Sequence, residues 1–177
     1  MSYKIARPYR AVIRCLATAL VVWASAIGFV TADARASAVD EFLGRVKATA
    51  WPYKSLTNPP ARIKHDDKGK VVELRLDGVN LKPGDLELIC SMKELVELNL
   101  CQTNIKDEQI EKLSALPHLR GLQLNHTAIG DEAIKYLAKL PALESLCLGG
   151  VKVTRAGLKS LHTAKPELAV GYFPEHK

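Results

Sequence analysis

The feature that most constrains this chain is a set of leucines that returns every 24 residues. Two leucine positions, two residues apart, recur in phase through four consecutive segments. They are Leu74, Leu98, Leu122 and Leu146, followed by Leu76, Leu100, Leu124 and Leu148. A repeat of this length is typical of stacked strand-turn-helix units, none of which buries its apolar side alone. The sequence therefore predicts a stack of units that share one core.

Within each unit the hydrophobic period changes from two residues to about 3.6 residues. The LxxLxL part predicts a short strand with its leucines turned inward, and later apolar pairs such as Ile110 and Leu113 predict a helix. Asp85, Asp107 and Asp131 stand where these helices are predicted to begin. A carboxylate is favoured there because the first amides of a helix lack partners.

The four units resemble leucine-rich repeats of the bacterial type that reads LxxLxLxxTxIxDxxLxxLxxLP, over residues 71–173. Thr103 and Thr127 occupy that family's turn position, whereas Val79 and Val151 depart from it in the outer units. The resemblance implies an α/β fold, a leucine-rich-repeat solenoid in a short right-handed horseshoe arc with an N-terminal helix and β-hairpin cap. It also implies a scaffold for protein interaction.

The N-terminal segment, residues 1–36, is predicted to be a signal peptide. Four basic side chains precede an uncharged run at residues 15–32, and small-x-small triplets follow at 34–36 and 36–38. The alternative is an uncleaved anchor through residues 15–32, because a run of this length is near the lower limit for spanning a bilayer. We expect an exported chain, periplasmic or secreted, that contacts a membrane only if this segment is retained.

The charge of the chain argues against a nucleic-acid partner. Residues 1–36 hold five basic side chains and one acidic one, so they carry +4 of the net charge of +6 and leave +2 for the rest. A positive charge that resides in a targeting segment gives the folded surface no basic patch.

Residues 37–70 are predicted to form a cap of helix, loop and hairpin, and residues 71–177 to hold the four repeats with a terminal strand and cap. Val39, Phe42, Leu43 and Val46 follow helical spacing. Prolines then predict a loop before a charged hairpin turn at 66–69. Terminal units of this kind cover the open end of a stack.

Strand alternation turns columns of side chains outward on the face opposite the leucines. Together these columns form a small, polar patch of mixed charge, which suits hydrogen-bonded recognition of a protein or a glycan. The predicted partner-binding residues are Glu97, Asn99, Cys101, Gln123 and Asn125.

No residue pattern indicates catalysis, a cofactor site or a metal site. The histidines have no paired spacing, and no outward column combines a nucleophile with a histidine base. Cys101 and Cys147 are predicted to lie two strands apart and not to form a disulfide. We therefore expect a non-catalytic protein-protein interaction module presented outside the cytoplasm. The alternative is a membrane-anchored structural spacer or subunit of an envelope complex.

Overall fold

The computed structural model describes residues 32–48 and 62–173 of the 177-residue chain. The chain divides into two compact units, Met1–Glu41 and Phe42–Lys177. The first unit is described only through the opening residues of one helix, and the second holds the sheet. Three predicted segments lie outside the described residues: most of the signal segment, up to residue 31, the proline-rich loop at 51–60 and the terminal cap that begins at Pro174.

The described elements alternate between strands and short helical segments. In chain order they are α1 (Ala32–Ala48), β1 (Ile63–His65), β2 (Val71–Arg75), α2 (Asp85–Ser91), β3 (Glu97–Asn99), α3 (Asp107–Ile110) with a 3₁₀ turn (Glu111–Ala115), β4 (Gly121–Gln123), a 3₁₀ turn (Asp131–Ala133) with α4 (Ile134–Leu137), β5 (Ser145–Cys147), α5 (Arg155–Ala164) and β6 (Ala169–Gly171).

Helix α1 confirms the helix that apolar spacing predicted. Phe42, Leu43 and Val46 are buried, as that spacing requires. The helix begins earlier than predicted, at Ala32, inside the segment assigned to the signal peptide. Alanine has the highest helix propensity, and the alanine-rich stretch 32–38 extends the helix toward its N-terminus.

The strands form one six-stranded sheet whose spatial order equals the chain order. Strand β1 pairs with β2 in antiparallel fashion, as predicted for the charged hairpin. The turn is held by Asp66, whose Oδ1 accepts the backbone N–H groups of Lys68 at 2.9 Å and Lys70 at 2.7 Å. Strands β2 to β6 are parallel to one another.

The parallel strands pair in a register that matches the leucine period. Leu74 faces Leu98, Leu98 faces Leu122, and Leu122 faces Leu146. These side chains are at most 1% exposed, and the second leucine column is fully buried. Each residue therefore packs on its own counterpart in the next unit, which confirms the predicted shared core.

The structure corrects the predicted fold class. In place of a leucine-rich-repeat solenoid in a right-handed horseshoe arc, the described residues form a mixed α/β fold with one mostly parallel sheet that opens with an antiparallel pair. The connecting segments are also unequal, because α2 and α5 are ordinary helices whereas the two between them combine one α turn with a 3₁₀ turn. The periodic leucines specify strand register, but the conformation between strands follows from local residues that differ between units.

The carboxylates that begin the helical segments bond to the next unit. Asp107 and Asp131 are first residues of such segments, as predicted, but their oxygens do not cap their own first turns. Asp107 Oδ1 accepts the N–H of Gly130 at 2.7 Å. Asp131 accepts the N–H and the hydroxyl of Thr154, at 2.8 and 2.7 Å. These bonds tie each unit to its successor on the helix side of the sheet.

Asp85 plays a different part at the start of α2. It is 5% exposed, accepts the N–H of Lys82 at 2.7 Å and forms an ion pair with Arg45 of α1. The Arg45 guanidinium also lies over the Phe42 ring, 5.4 Å from its centre. A cation held by a nearly buried carboxylate and an aromatic ring fixes the second half of α1 against the helix side.

One residue in the turn that follows each of the strands β2 to β5 adopts a left-handed conformation. Gly78, Gln102, His126 and Gly150 have φ of 67°, 56°, 56° and 62°. Glycine at position 150 leaves room for the exposed His126 side chain, because a Cβ there would lie 2.4 Å from His126 Nδ1 and force the ring to move. The turn geometry thus repeats even where the residue type does not.

We predict that Asp107→Ala destabilises the protein by about 1–2 kcal/mol, because it leaves the half-buried Gly130 N–H without its acceptor. Asp107→Asn keeps an amide oxygen and should recover most of the loss. The neighbouring exposed Glu108→Ala is the control, with an expected change within about 0.5 kcal/mol. Urea unfolding measures all three, and equal losses for Asp107→Ala and Glu108→Ala would contradict the bond between units.

We also predict that Gly150→Ala costs more than Gly69→Ala. Both glycines have positive φ, which costs an alanine about 1–2 kcal/mol, but a Cβ at Gly69 meets open space whereas one at Gly150 meets His126. In a His126→Ala background the two costs should become equal. Thermal or urea unfolding compares Gly150→Ala with Gly69→Ala, each in the wild-type and the His126→Ala background. If Gly150→Ala still costs more in the His126→Ala background, the extra cost does not come from a clash with His126.

Candidate functional site

The face of the sheet opposite the leucines carries three columns of outward side chains, which we call the strand face. Register aligns the first two columns, and backbone bonds such as Gln102 N–H to Asn125 C=O at 2.8 Å align the third. The columns are Glu73, Glu97, Gly121, Ser145 and Ala169; Arg75, Asn99, Gln123, Cys147 and Gly171; and Asp77, Cys101, Asn125, Gly149 and Phe173.

A chain of polar contacts crosses the first half of this face. Asn99 Nδ2 donates to Asp77 Oδ1 at 3.0 Å and to Gln123 Oε1 at 3.1 Å. Asn99 Oδ1 accepts the N–H of Cys101 at 2.9 Å. Arg75 Nε lies 3.7 Å from Asp77 Oδ2 and extends the chain to β2. Asn99 is therefore the central link, and its bonds hold neighbouring side chains in defined positions.

The five predicted partner-binding residues differ in accessibility. Glu97 is exposed, and Gln123 and Asn125 are half-buried. Asn99 and Cys101 are only 3% and 8% exposed. Alternation predicted the direction of these side chains, but it could not predict that cross-strand neighbours would cover two of them. Asn99 and Cys101 consequently offer a partner little surface of their own.

Glu97 lies across the next strand because residue 121 is glycine. A Cβ at Gly121 would stand 1.9 Å from Glu97 Oε2, so any larger residue would displace the carboxylate. Partial burial of the carboxyl group, followed by the nearby charges of Glu73 and Glu144, raises the pKa of Glu97 above its ordinary value. The strand face thus holds a carboxylate that is less readily ionised than a free glutamate.

Asn125 marks the other side of the predicted site. Its Oδ1 accepts the N–H of Gly149 at 2.6 Å, and a Cβ at residue 149 would press on the same oxygen at 3.0 Å. From β4 onward the outward residues are mostly small and uncharged, whereas β2 and β3 carry Glu73, Arg75 and Glu97. The face therefore combines a charged half with a neutral half of mostly small residues.

The three cysteines among the described residues, Cys90, Cys101 and Cys147, are free, and Cys101 does not pair with Cys147. Burial raises the pKa of the Cys101 thiol, and it raises the pKa of the Cys90 thiol to about 11. Cys90 also donates a hydrogen bond to the Lys112 carbonyl, with 3.2 Å between sulfur and oxygen. Thiols with raised pKa are poor nucleophiles and poor metal ligands near neutral pH.

The helix side carries a feature that the sequence did not predict as a site. An open groove of 460 Å³ runs between α4 and α5. Its lining consists of Asp131, Ile134, Lys135, Ala138, Ala156, Gly157, Ser160 and Ala164. The available signal was the spacing of Ala156, Ser160 and Ala164, which places three small side chains on one face of α5.

Within residues 32–48 and 62–173, no group of three or more histidine, cysteine, aspartate or glutamate side chains is placed to hold a metal ion. No helix in the same ranges is long and apolar enough to cross a membrane.

Comparison with known proteins does not assign the chain to a family. No family model matches it, and no curated protein matches it. Among solved structures, it is similar to leiomodin-1 actin-binding site 2, at 15% sequence identity and a TM-score of 0.49 over 77% of this chain and 80% of that one. The resemblance to leucine-rich repeats stays a prediction from the sequence.

We predict that Glu97→Gln stabilises the protein near neutral pH and has no effect below the ordinary glutamate pKa of 4.5. The pKa of Glu97 is raised in the folded state, so the wild type loses stability as pH rises and Glu97 ionises. Solvent screening keeps the gain below about 1 kcal/mol. Urea unfolding at both pH values measures it.

The matched variant Glu73→Gln removes one of the like charges that act on Glu97. NMR titration of the Glu97 carboxyl carbon should then show its pKa moving part of the way back toward 4.5. A titration midpoint unchanged by Glu73→Gln would contradict this electrostatic account.

Proposed function

We propose that this chain is a non-catalytic binding module that is presented outside the cytoplasm and binds a protein partner through the strand face. The observation that supports this proposal most is the polar chain from Asp77 through Asn99 to Gln123. Its members come from neighbouring units and are held before any partner arrives. Preorganised polar groups lose little conformational entropy on binding.

In this proposal the five residues of the site act in two ways. Glu97, Gln123 and Asn125 contact the partner, because they retain exposed surface. Asn99 and Cys101 are positioning residues, because both are buried, Asn99 bonds to Gln123, and the Cys101 backbone N–H bonds to Asn99. Replacing Asn99 would therefore weaken binding by releasing Gln123, without removing a direct contact.

The size of the strand face limits the partner's footprint. The five strands that carry its columns, about 4.8 Å apart, span only about 19 Å. A standard interface buries about 800 Å² on each partner. The face therefore suits a loop or an extended segment of a partner better than a broad flat surface, and its polar groups also suit a glycan.

The second candidate is a structural spacer or subunit that docks through its helix side. The groove between α4 and α5 is the observation that favours it. Membrane anchoring of such a spacer depends on residues 15–32, nearly all of which precede the described part of the chain. Export likewise rests on the predicted signal segment.

Two exposed serines on opposite sides of the molecule allow a matched test. A photo-crosslinking amino acid is placed at Ser145 on the strand face or at Ser160 in the helix-side groove, and whole cells of the native host are irradiated. We expect a recurring crosslinked protein from position 145 and none from position 160. Mass spectrometry of the crosslinked species identifies the partner.

The opposite pattern, with crosslinks from position 160 alone, would replace the strand-face proposal with the helix-side one. If position 145 yields a partner, Gln123→Ala in the same chain should reduce the crosslinked yield. An undiminished yield would show that the contact does not use the predicted residues.

A further inference from the structure

The two edges of the sheet are unlike. At one edge, β1 carries Lys64 and His65 and leads into a turn that contains Asp66 and Asp67. At the other edge, residues 169–173 read AVGYF and contain no charge. Charged side chains are a common protection of an edge strand against pairing with another chain. The β1 edge has this protection, and residues 169–173 of the β6 edge lack it.

The backbone of β6 keeps hydrogen-bonding capacity on its outer side. Ala169 donates its N–H to the Glu144 carbonyl at 2.9 Å, and the carbonyls of Gly171 and Phe173 accept bonds of 2.7 and 2.8 Å from the neighbouring unit. Alternate residues of a strand point these groups to opposite sides. Val170 and Tyr172 therefore point their N–H and C=O groups away from β5, where no described strand pairs with them.

The side chains of this edge are also incompletely covered. Val170 continues the inner column in which Leu98, Leu122 and Leu146 are 1% exposed, yet Val170 itself is half-buried. Phe173 is 74% exposed. An unprotected edge with exposed apolar side chains is a site for strand addition.

We propose that a second copy of this chain covers the edge, with the two β6 strands antiparallel about a twofold axis at Gly171. In this register Val170 of one copy lies opposite Tyr172 of the other and exchanges both backbone hydrogen bonds with it. The twofold axis repeats the pair, which gives about four bonds in all. Gly171 then faces its own counterpart as a pair without hydrogen bonds.

The order of side chains along the strand favours a second copy over an unrelated segment. The twofold register places the small Ala169 opposite the large Phe173 on one face. On the other face it places the β-branched Val170 opposite the aromatic Tyr172, which is a favourable cross-strand pair. Gly171 at the axis leaves room for the two strands to approach. The sequence is thus complementary to itself when read in the opposite direction.

The contrast between the two sheet edges also explains why the association stops at a dimer. Head-to-tail pairing of β6 with β1 would add copies without limit, and the charges of β1 oppose it. Pairing of β6 with β6 uses each unprotected edge once. The short edge buries much less than the roughly 1,000 Å² of a stable interface, so the dimer is weak and concentration-dependent.

Charge reversal at the axis tests the proposal with the full chain and without any other partner. A Cβ at Gly171 makes only ordinary contacts, 3.7 Å from Cys147 Sγ and 3.9 Å from the Leu146 carbonyl, so side chains fit there. Sedimentation velocity across a concentration series compares the wild type, Gly171→Ala, Gly171→Lys and Gly171→Glu. The Lys and Glu variants place like charges face to face and should each weaken dimerisation by at least about tenfold.

Gly171→Ala adds a Cβ without charge and should dimerise as the wild type does. An equimolar mixture of Gly171→Lys and Gly171→Glu should dimerise again, because the opposite charges then meet across the axis. A monomeric wild type, charged variants that associate unchanged, or a mixture that stays monomeric would each overturn the proposal.

Hydrogen exchange provides a measurement that needs no variant. The amides of Val170 and Tyr172 should become more protected as the concentration of the wild-type chain rises. The amide of Ala169, already bonded within the sheet, should keep its protection throughout. Exchange at Val170 and Tyr172 that does not depend on concentration would overturn the proposal. The outcome is independent of partner binding at the strand face, since no partner is present.

Discussion

The rest of the structure depends on parallel pairing in which each residue faces its counterpart one unit later. Leu98 faces both Leu74 and Leu122, so each leucine packs on leucines of the same size. Like residues stacked in register bury an apolar column with few voids, and burial of this kind is the main favourable term in folding. This register also aligns the outward columns, the left-handed turns and the hydrogen bonds between units.

The strand face shows how the same register produces a graded surface. Equivalent backbone positions hold Glu97, Gly121 and Ser145 in one column, so a charged side chain is followed along the sheet by small uncharged residues. Glycine at 121 leaves space that the Glu97 carboxylate fills. One half of the face therefore carries the charges, and the other half leads to the uncharged residues 169–173 at β6. In our two proposals, recognition of a partner and association of two copies use different parts of one sheet.

Particular residues show how far the sequence carried the prediction. The leucine period predicted the core columns, and apolar spacing predicted α1 with Phe42 and Val46 buried. The same reasoning turned Asn99 outward, yet Asn99 is buried, because Asp77 and Gln123 close over it from the neighbouring strands. Asp107 was predicted to cap its own helical turn and instead binds Gly130. A pattern in the sequence does not reveal a hydrogen bond between residues of different units.

The sequence by itself determined which residues face inward and which partner each strand residue meets, because a fixed period allows one register in which all leucines are buried. Only the tertiary structure decided the arrangement of the units as one mostly parallel sheet in place of a solenoid, the form of each connection, the accessibility of the outward residues and the contrast between the sheet edges. Those features depend on the space left by side chains from other units. For example, the absence of a Cβ at Gly121 matters only because the Glu97 carboxylate lies where that atom would be.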